Sequence, residues 1–152
     1  TSVLTTARVR MEIAQAKLDI TTHGKGLVDV TRDINDIVKK SGIAVGLCTV
    51  FVQHTSASLL IQENADPSVR RDLENWMSDL APESRPWSHD DEGPDDMPAH
   101  ARSAITHTSE VIPITDGRLA LGTWQGLYVW EHRRVSHVRH LVVHMQGNRR
   151  SG

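Results

Sequence analysis

Four places far apart in the chain each set a histidine beside polar partners at the end of an element: His54, His89, His100 and Glu131-His132. Between His89 and His100 lie Asp90, Asp91, Glu92, Asp95 and Asp96, so that five carboxylates and two imidazoles fall within twelve residues. Imidazole clustered with carboxylate is what a divalent metal takes as ligands, and a helix start just behind such a cluster suits an anion. A solvated acidic loop has no need of histidine at both ends, so the stretch is read as a site. Three or more ligands must converge from separate elements, each imidazole steadied through its second nitrogen by a carboxylate or carbonyl. The spacing is not a compact signature such as HExxH, so these residues alone point to a metal-dependent enzyme and no further. His137, His140 and His144 lack a carboxylate cluster and read as surface or packing groups.

The elements that must position these residues follow from hydropathy. Val9, Met11 and Ile13 alternate with Arg8, Arg10 and Glu12, which predicts a half-buried strand running loosely to Ile20 after a ragged start over residues 1–7. His23-Gly24-Lys25-Gly26 is a turn; it lacks the fuller spacing of a P-loop. Leu27, Val30, Ile34, Ile37 and Val38 recur at helical spacing, and Lys39, Lys40 and Gly42 close that helix. Ile43 to Val52 is nearly continuous apolar sequence, which suits a strand buried on both faces. Gln53-His54-Thr55-Ser56 separates it from a second strand, Ser58 to Glu63, and polar residues placed so abruptly suggest a site.

Asp66-Pro67 starts a helix that carries Val69, Leu73, Trp76 and Leu80 and ends at Ala81-Pro82. Trp76 and Trp87 read as packing residues. Gly93, Pro94 and Pro98 keep the acidic stretch out of regular structure until a short helix from Pro98 to about Ile105, capped by Asp96 or Met97. Three or four strands complete the chain: Glu110 to Ile114, a short one from Leu119, Thr123 to Arg133, and Val135 to Met145. In the third of these, Trp124, Tyr128, Trp130 and His132 share one face. The order predicts a single α+β domain over residues 1–152, a large mixed or antiparallel sheet with helices packed on it.

Bulk properties narrow the function. A chain of 152 residues buries a core without disulfides. Seventeen basic against nineteen acidic residues, a net charge of −2, give no electrostatic case for nucleic acid. No apolar run has spanning length and no signal-peptide pattern occurs, so a soluble chain away from membranes is expected. The lone Cys48 fits a reducing cytoplasm and reads as a small core residue.

Three stretches together carry a resemblance. Gln53-His54-Thr55-Ser56-Ala57-Ser58 with Glu63-Asn64-Ala65-Asp66-Pro67 and Val69-Arg70 is similar to the first signature of the YjbQ-like family. His89-Asp90 and Glu92-Gly93-Pro94-Asp95-Asp96-Met97-Pro98-Ala99-His100 resemble its second. Gly122-Thr123-Trp124-Gln125-Gly126-Leu127-Tyr128 with Glu131-His132-Arg133 resembles its third. The match runs in family order from about Arg8 to Gly147; Ala101 and His107 depart from it, where a larger aliphatic residue and a glycine are expected.

The resemblance implies a small α+β domain, a homotrimer, a metal held by histidines and a secondary thiamine-phosphate synthase activity. That reaction joins a pyrimidine-methyl pyrophosphate to a thiazole phosphate and releases pyrophosphate, so phosphorylated small molecules are the expected partners. On this reading His54, His100 and His132 ligate the metal, and His89 and Glu131 serve as acid or base. Ser56, Asn64, Asp90, Glu92, Asp95, Asp96, Gln125 and Arg133 bind or orient substrate, with Arg133 or Arg70 on its phosphates. Histidine ligands favour Zn²⁺ and phosphate chemistry favours Mg²⁺, so the metal stays open between them. A metal-dependent hydrolase of a phosphorylated small molecule, or a non-catalytic trimer that binds metal or ligand, are the alternatives.

Overall fold

The computed structural model describes residues 10–149. The ragged start and the first two positions of the first expected strand, Arg8 and Val9, lie outside them. Strands β1 (Glu12–Thr21), β3 (Ile43–Val52), β5 (Ser109–Thr115), β6 (Arg118–Leu119) and β8 (Val138–Arg149) form one sheet in the order β1-β8-β3-β5-β6. Strands β2 (Gly26–Asp29), β4 (Ala57–Glu63) and β7 (Gln125–Glu131) form a second, in the order β2-β7-β4. Every pairing is antiparallel. Helices α1 (Thr31–Ser41), α2 (Pro67–Leu80) and α3 (Asp96–Ala104) complete an α+β fold, its antiparallel strands divided between two sheets.

The core lies between the sheets. Val50, Val52, Leu141 and Val143 of the larger sheet meet Leu59, Leu127 and Val129 of the smaller, and Ile34 and Val38 of α1 enter the same cluster. Cys48 belongs to it too, and burial pushes its thiol up to about 12, as befits an inert packing group. The other face of β7 is buried as well: Trp130 Nε1 donates to Glu74 of α2 at 2.7 Å, and Arg70 of α2 donates to the Tyr128 hydroxyl at 3.2 Å. β7 is therefore the strand buried on both faces.

That property was expected of β3, and the difference has a simple cause. Among the described residues no helix covers the outer face of the larger sheet, so Val45, Leu47 and Phe51 of β3 point outward, Val45 with 58% of its surface exposed. Ile13, Val111 and Val138 are exposed on the same face, in register with β3 and β8. The helix expected from Leu27 begins at Thr31, because Leu27 and Val28 pair with Trp130 and Val129 in β2 instead; sheet pairing overrides helical spacing there. Its end is as expected, with Lys39 and Lys40 in the last turn and Gly42 left-handed at φ 75°. Trp124 falls outside β7 and His132 just past it, so the shared face reduces to Tyr128 and Trp130. Trp76 is exposed and so is not the packing residue expected, whereas Trp87 is half-buried, its Nε1 donating to the Pro82 carbonyl at 3.1 Å. Among the described residues no helix is long and apolar enough to cross a membrane.

The start of α2 is the clearest local agreement between sequence and structure. Asp66 is extended at φ −95°, its Oδ1 accepts the Ser68 backbone N–H at 2.9 Å, and Pro67 opens the helix. Asp66→Ala removes the side-chain acceptor that caps this terminus. It should lower the thermal midpoint by a few degrees without altering the far-ultraviolet circular dichroism of the folded protein, and an unchanged midpoint would show the cap to be energetically idle.

Candidate metal centre

One end of the smaller sheet assembles the site. Gly26, Glu131 and Ala57 stand in one row across β2, β7 and β4. From that row the chain runs on into His132-Arg133 on one side and back through Ser56, Thr55 and His54 on the other.

Glu131 fixes this end. It is fully buried and accepts from Thr22 Oγ1 at 2.6 Å and Arg139 Nε at 2.8 Å, and its second oxygen takes the backbone N–H groups of His132 and Arg133 at 3.0 and 3.2 Å. Burial alone would raise its carboxyl; the hydrogen bonds from Arg139 and Thr22 outweigh that and hold it below the usual carboxylate range. Every lone pair that could take a substrate proton is engaged, so Glu131 is a brace and not a free acid or base. Arg139 also reaches Ser56 Oγ at 2.9 Å, which places the buried Ser56 in the same brace.

Arg133, turned outward by that brace, grips the acidic stretch. Its Nε donates to Asp95 Oδ2 at 3.0 Å, Nη1 to Asp96 Oδ1 at 2.6 Å and Nη2 to the Glu92 carbonyl at 3.0 Å, while the Arg134 N–H donates to Asp95 Oδ2 at 2.9 Å. Burial works against the Asp95 charge, but the Arg134 N–H and the Arg133 guanidinium keep its carboxyl low. Asp95 stands at the N-cap of α3 without capping it, because its carboxylate is committed to the two arginines. The helix accordingly begins at Asp96, two residues before the expected Pro98.

With Oδ1 held by Arg133, Asp96 presents Oδ2 to two histidines: His89 Nε2 at 2.7 Å and His100 Nε2 at 3.1 Å. Ligating atoms of His89, Asp96 and His100 all lie within 4.8 Å of one another, the one such group of three among the described residues. His100 Nδ1 lies 2.9 Å from the Thr55 carbonyl, which can only accept, so Nδ1 carries the ring proton. In the neutral ring Nε2 is then a lone pair aimed at a carboxylate oxygen, an approach that is favourable only with a proton or a cation between them. An imidazole anchored from behind by a backbone carbonyl is how metal-binding histidines are oriented. Burial would raise the Asp96 carboxyl; the His89 hydrogen bond and the charges of His100 and Arg133 bring it down instead. The donor set fits a divalent cation.

Of the three ligands expected from the sequence, only His100 belongs to this group. His54 Nδ1 accepts the Ser56 N–H at 3.0 Å, so Nε2 holds the proton in the neutral ring and points as a donor. Burial, reinforced by the Arg139 charge, lowers its pKa. His132 is fully buried, with Nε2 2.9 Å from Ser58 Oγ and Nδ1 without a hydrogen-bond partner among the described residues. Asn64 and Gln125 lie at the opposite end of the smaller sheet, about 20 Å of strand away, where Asn64 Nδ2 donates to the Thr123 and Gln125 carbonyls. Asp90 stays exposed in the loop. Arg70 is spent on Tyr128. Sequence reading passes over Arg139 and Thr22, and it takes Thr55 for its place in the polar tetrad and not for the carbonyl that orients His100. It groups His100 with His54 and His132, where the structure sets it beside His89 and Asp96; the i,i+4 spacing of Asp96 and His100, which puts them on one helical face, is a signal for that pair.

The buried brace has a pH signature. Burial and the charges of Arg102, Arg139 and Lys25 push the His132 imidazole down to about 3 from an ordinary 6.5. The unfolded chain therefore binds a proton below 6.5 that the folded chain refuses, so stability falls as pH drops from 6.5 towards 3. Glu131 acts in the same sense lower down, its contribution being lost as pH falls below 4.5 through its depressed value. Denaturant unfolding between pH 7 and 5 should show the decline, and His132→Gln should flatten it over that interval. An equal slope in the variant would assign the decline to other groups.

Known proteins share both the sequence and the fold around this centre. Residues 16–148 match the family model described as UPF0047 protein YjbQ-like. The chain is 56% identical over 134 residues to the UPF0047 protein sll1880 of Synechocystis, covering 88% of this chain and 91% of that protein. It is 39% identical to the UPF0047 protein YjbQ of Escherichia coli O157:H7, covering 88% and 97% of the two chains. Among solved structures, a YbjQ-like protein of unknown function from Sulfolobus solfataricus superposes with a TM-score of 0.85 at 28% identity, over 91% of this chain and all of that one. A conserved hypothetical protein from Thermus thermophilus gives 0.75 at 34% identity, over 84% and 97%. With the family model spanning nearly the whole described chain and the fold shared over 91% of it, the chain belongs to the YjbQ-like UPF0047 family.

Proposed function

We propose that this protein is a metal-dependent enzyme acting on phosphorylated small molecules, its metal held by His89, Asp96 and His100. The observation that carries this is the approach of two imidazole Nε2 atoms to Asp96 Oδ2, with the His100 ring fixed by the Thr55 carbonyl. Two imidazoles and a carboxylate suit Zn²⁺ better than Mg²⁺, which prefers oxygen throughout. A divalent cation there supplies positive charge to phosphate oxygens and to a departing pyrophosphate. Arg133 holds Asp96 so that one oxygen faces the histidines, and half-exposed His89 leaves the centre open to a substrate.

The reaction we assign is thiamine-phosphate synthesis. The thiazole nitrogen forms a bond to the pyrimidine methylene carbon as the carbon–oxygen bond to pyrophosphate breaks, and pyrophosphate leaves with the electron pair. The likeness of the three signature stretches to the YjbQ-like family supports this choice. An open, solvent-facing centre also favours a second reading, hydrolysis of a phosphorylated small molecule. A reducing cytoplasm goes with either, given the buried thiol of Cys48.

One assay separates the readings: zinc-loaded protein with pyrimidine-methyl pyrophosphate and thiazole phosphate, with and without a chelator. Thiamine phosphate formed only with metal is the expected product. Inorganic phosphate alone would establish the hydrolase, and neither product would leave a binding protein. His100→Ala and Asp96→Asn should each lower bound metal and turnover by at least about tenfold, whereas His140→Ala and His144→Ala should leave both unchanged.

A homotrimer is proposed with the activity. The outer face of the larger sheet supports it: Ile13, Val45, Leu47, Phe51, Val111 and Val138 are exposed there among polar residues such as Gln15 and His144, and a face so rich in exposed apolar side chains suits burial between subunits. Light scattering at micromolar concentration should return three times the chain mass, and Phe51→Asp should reduce it. A clean monomer mass for the wild type would end the proposal.

A further inference from the structure

The arginines around the metal centre are engaged by carboxylates of the protein itself. Arg133 makes three bonds to the acidic stretch, Arg134 is paired with Glu83, and Arg139 is buried against Glu131. Beside the metal, a phosphate reaching this end of the smaller sheet would gain from a cation not already paired, and the fold brings one. The turn His23-Gly24-Lys25-Gly26 joins β1 to β2, and Gly26 is the residue paired with Glu131 in the row from which the site is built.

That turn is fitted against the site and not merely near it. A Cβ on Gly24 would stand 2.9 Å from the Arg134 carbonyl oxygen, so the turn lies directly on the Arg133-Arg134 segment that grips Asp95 and Asp96. Gly24 and Gly26 have φ of 100° and 142°, conformations that side-chain-bearing residues rarely adopt, and between them they fix the backbone of Lys25. Thr22, just before the turn, is tied to Glu131, which anchors its other end in the same brace. Lys25 itself is half-buried and makes no hydrogen bond or ion pair among the described residues. Its charge is nevertheless felt by the buried His132 ring.

We propose that Lys25 is the residue that receives the substrate's phosphate at the His89–Asp96–His100 centre, so that recognition is split between a metal held by α3 and an ammonium held by the β1–β2 turn. This rests on the metal-dependent reading of the centre and adds the substrate group and the residue that selects it. A lysine acts on phosphate as a compact point charge, so a single long side chain held at its base suffices to discriminate an anionic substrate from a neutral one.

The test uses zinc and methylphosphonate, a phosphate-like probe that cannot be hydrolysed. Zinc titration of the wild type and of Lys25→Met comes first, with equal affinity expected for both. A ³¹P titration of the zinc-loaded proteins with methylphosphonate follows. Lys25→Met should weaken binding by about tenfold and make what remains less sensitive to salt, Lys25→Arg should keep most of it, and Lys39→Met on the far side of the molecule should match the wild type. Methylphosphonate binding by zinc-loaded Lys25→Met within twofold of wild type overturns the assignment of Lys25 alone. Failure of the wild type to bind zinc overturns the reading of the centre on which it rests.

Discussion

The Glu131–Arg139 pair is the constraint on which the site end of this fold depends. Both side chains are essentially without solvent contact, so each charge is tolerable only because the other is there and because Thr22, Ser56 and two backbone N–H groups take up the remaining hydrogen-bonding capacity. The groups so joined belong to β7, β8, the end of β1 and the approach to β4. Elements of both sheets are thereby locked at one place, and the core between them closes over it. Breaking such a pair by removing one partner costs about 3–5 kcal/mol in comparable buried sites, a large share of a small domain's stability.

The candidate metal centre is several contacts removed from that pair, yet its geometry descends from it. Glu131 holds the backbone of Arg133, Arg133 holds Asp95 and Asp96, and Asp96 holds the two histidines. From the opposite side Ser56 sits on Arg139 while its neighbour Thr55 orients His100. A polar site on an exposed loop is thus given the precision of a sheet. Residues that in sequence look like substrate groups, Arg133 and Glu131 above all, are occupied in holding others still.

How far this is legible in the sequence differs by level. The α+β class, the two-faced pattern of most strands and the Asp66-Pro67 helix start are written in local periodicity and capping, and the structure agrees with them; that every pairing is antiparallel and that the strands divide into two sheets is not. Periodicity starts helix α1 four residues early because Leu27 and Val30 keep helical spacing by coincidence, and only pairing with β7 reveals that this segment is a strand. The acidic stretch stands out in sequence as the place where imidazole and carboxylate gather, and it is. Which histidines gather is not legible there. His132 and His54 differ from His89 only in what surrounds them, and burial against Ser58 or a tautomer fixed by Ser56 is a tertiary fact. A helix begun at Pro98 also conceals that Asp96 shares a face with His100.

The ligand set proposed for the metal has one further property. His89, Asp96 and His100 are drawn from a single short run of chain, a loop folded back on the first turn of its own helix. Closing so short a loop costs little chain entropy, so the unfolded polypeptide keeps some power to gather the same three groups around an ion. An ion that is also held by the unfolded chain protects the native state less than its native affinity alone would indicate. The centre is in this respect a portable unit: the surrounding fold supplies its accuracy, while much of its capacity to take a cation resides in a dozen consecutive residues.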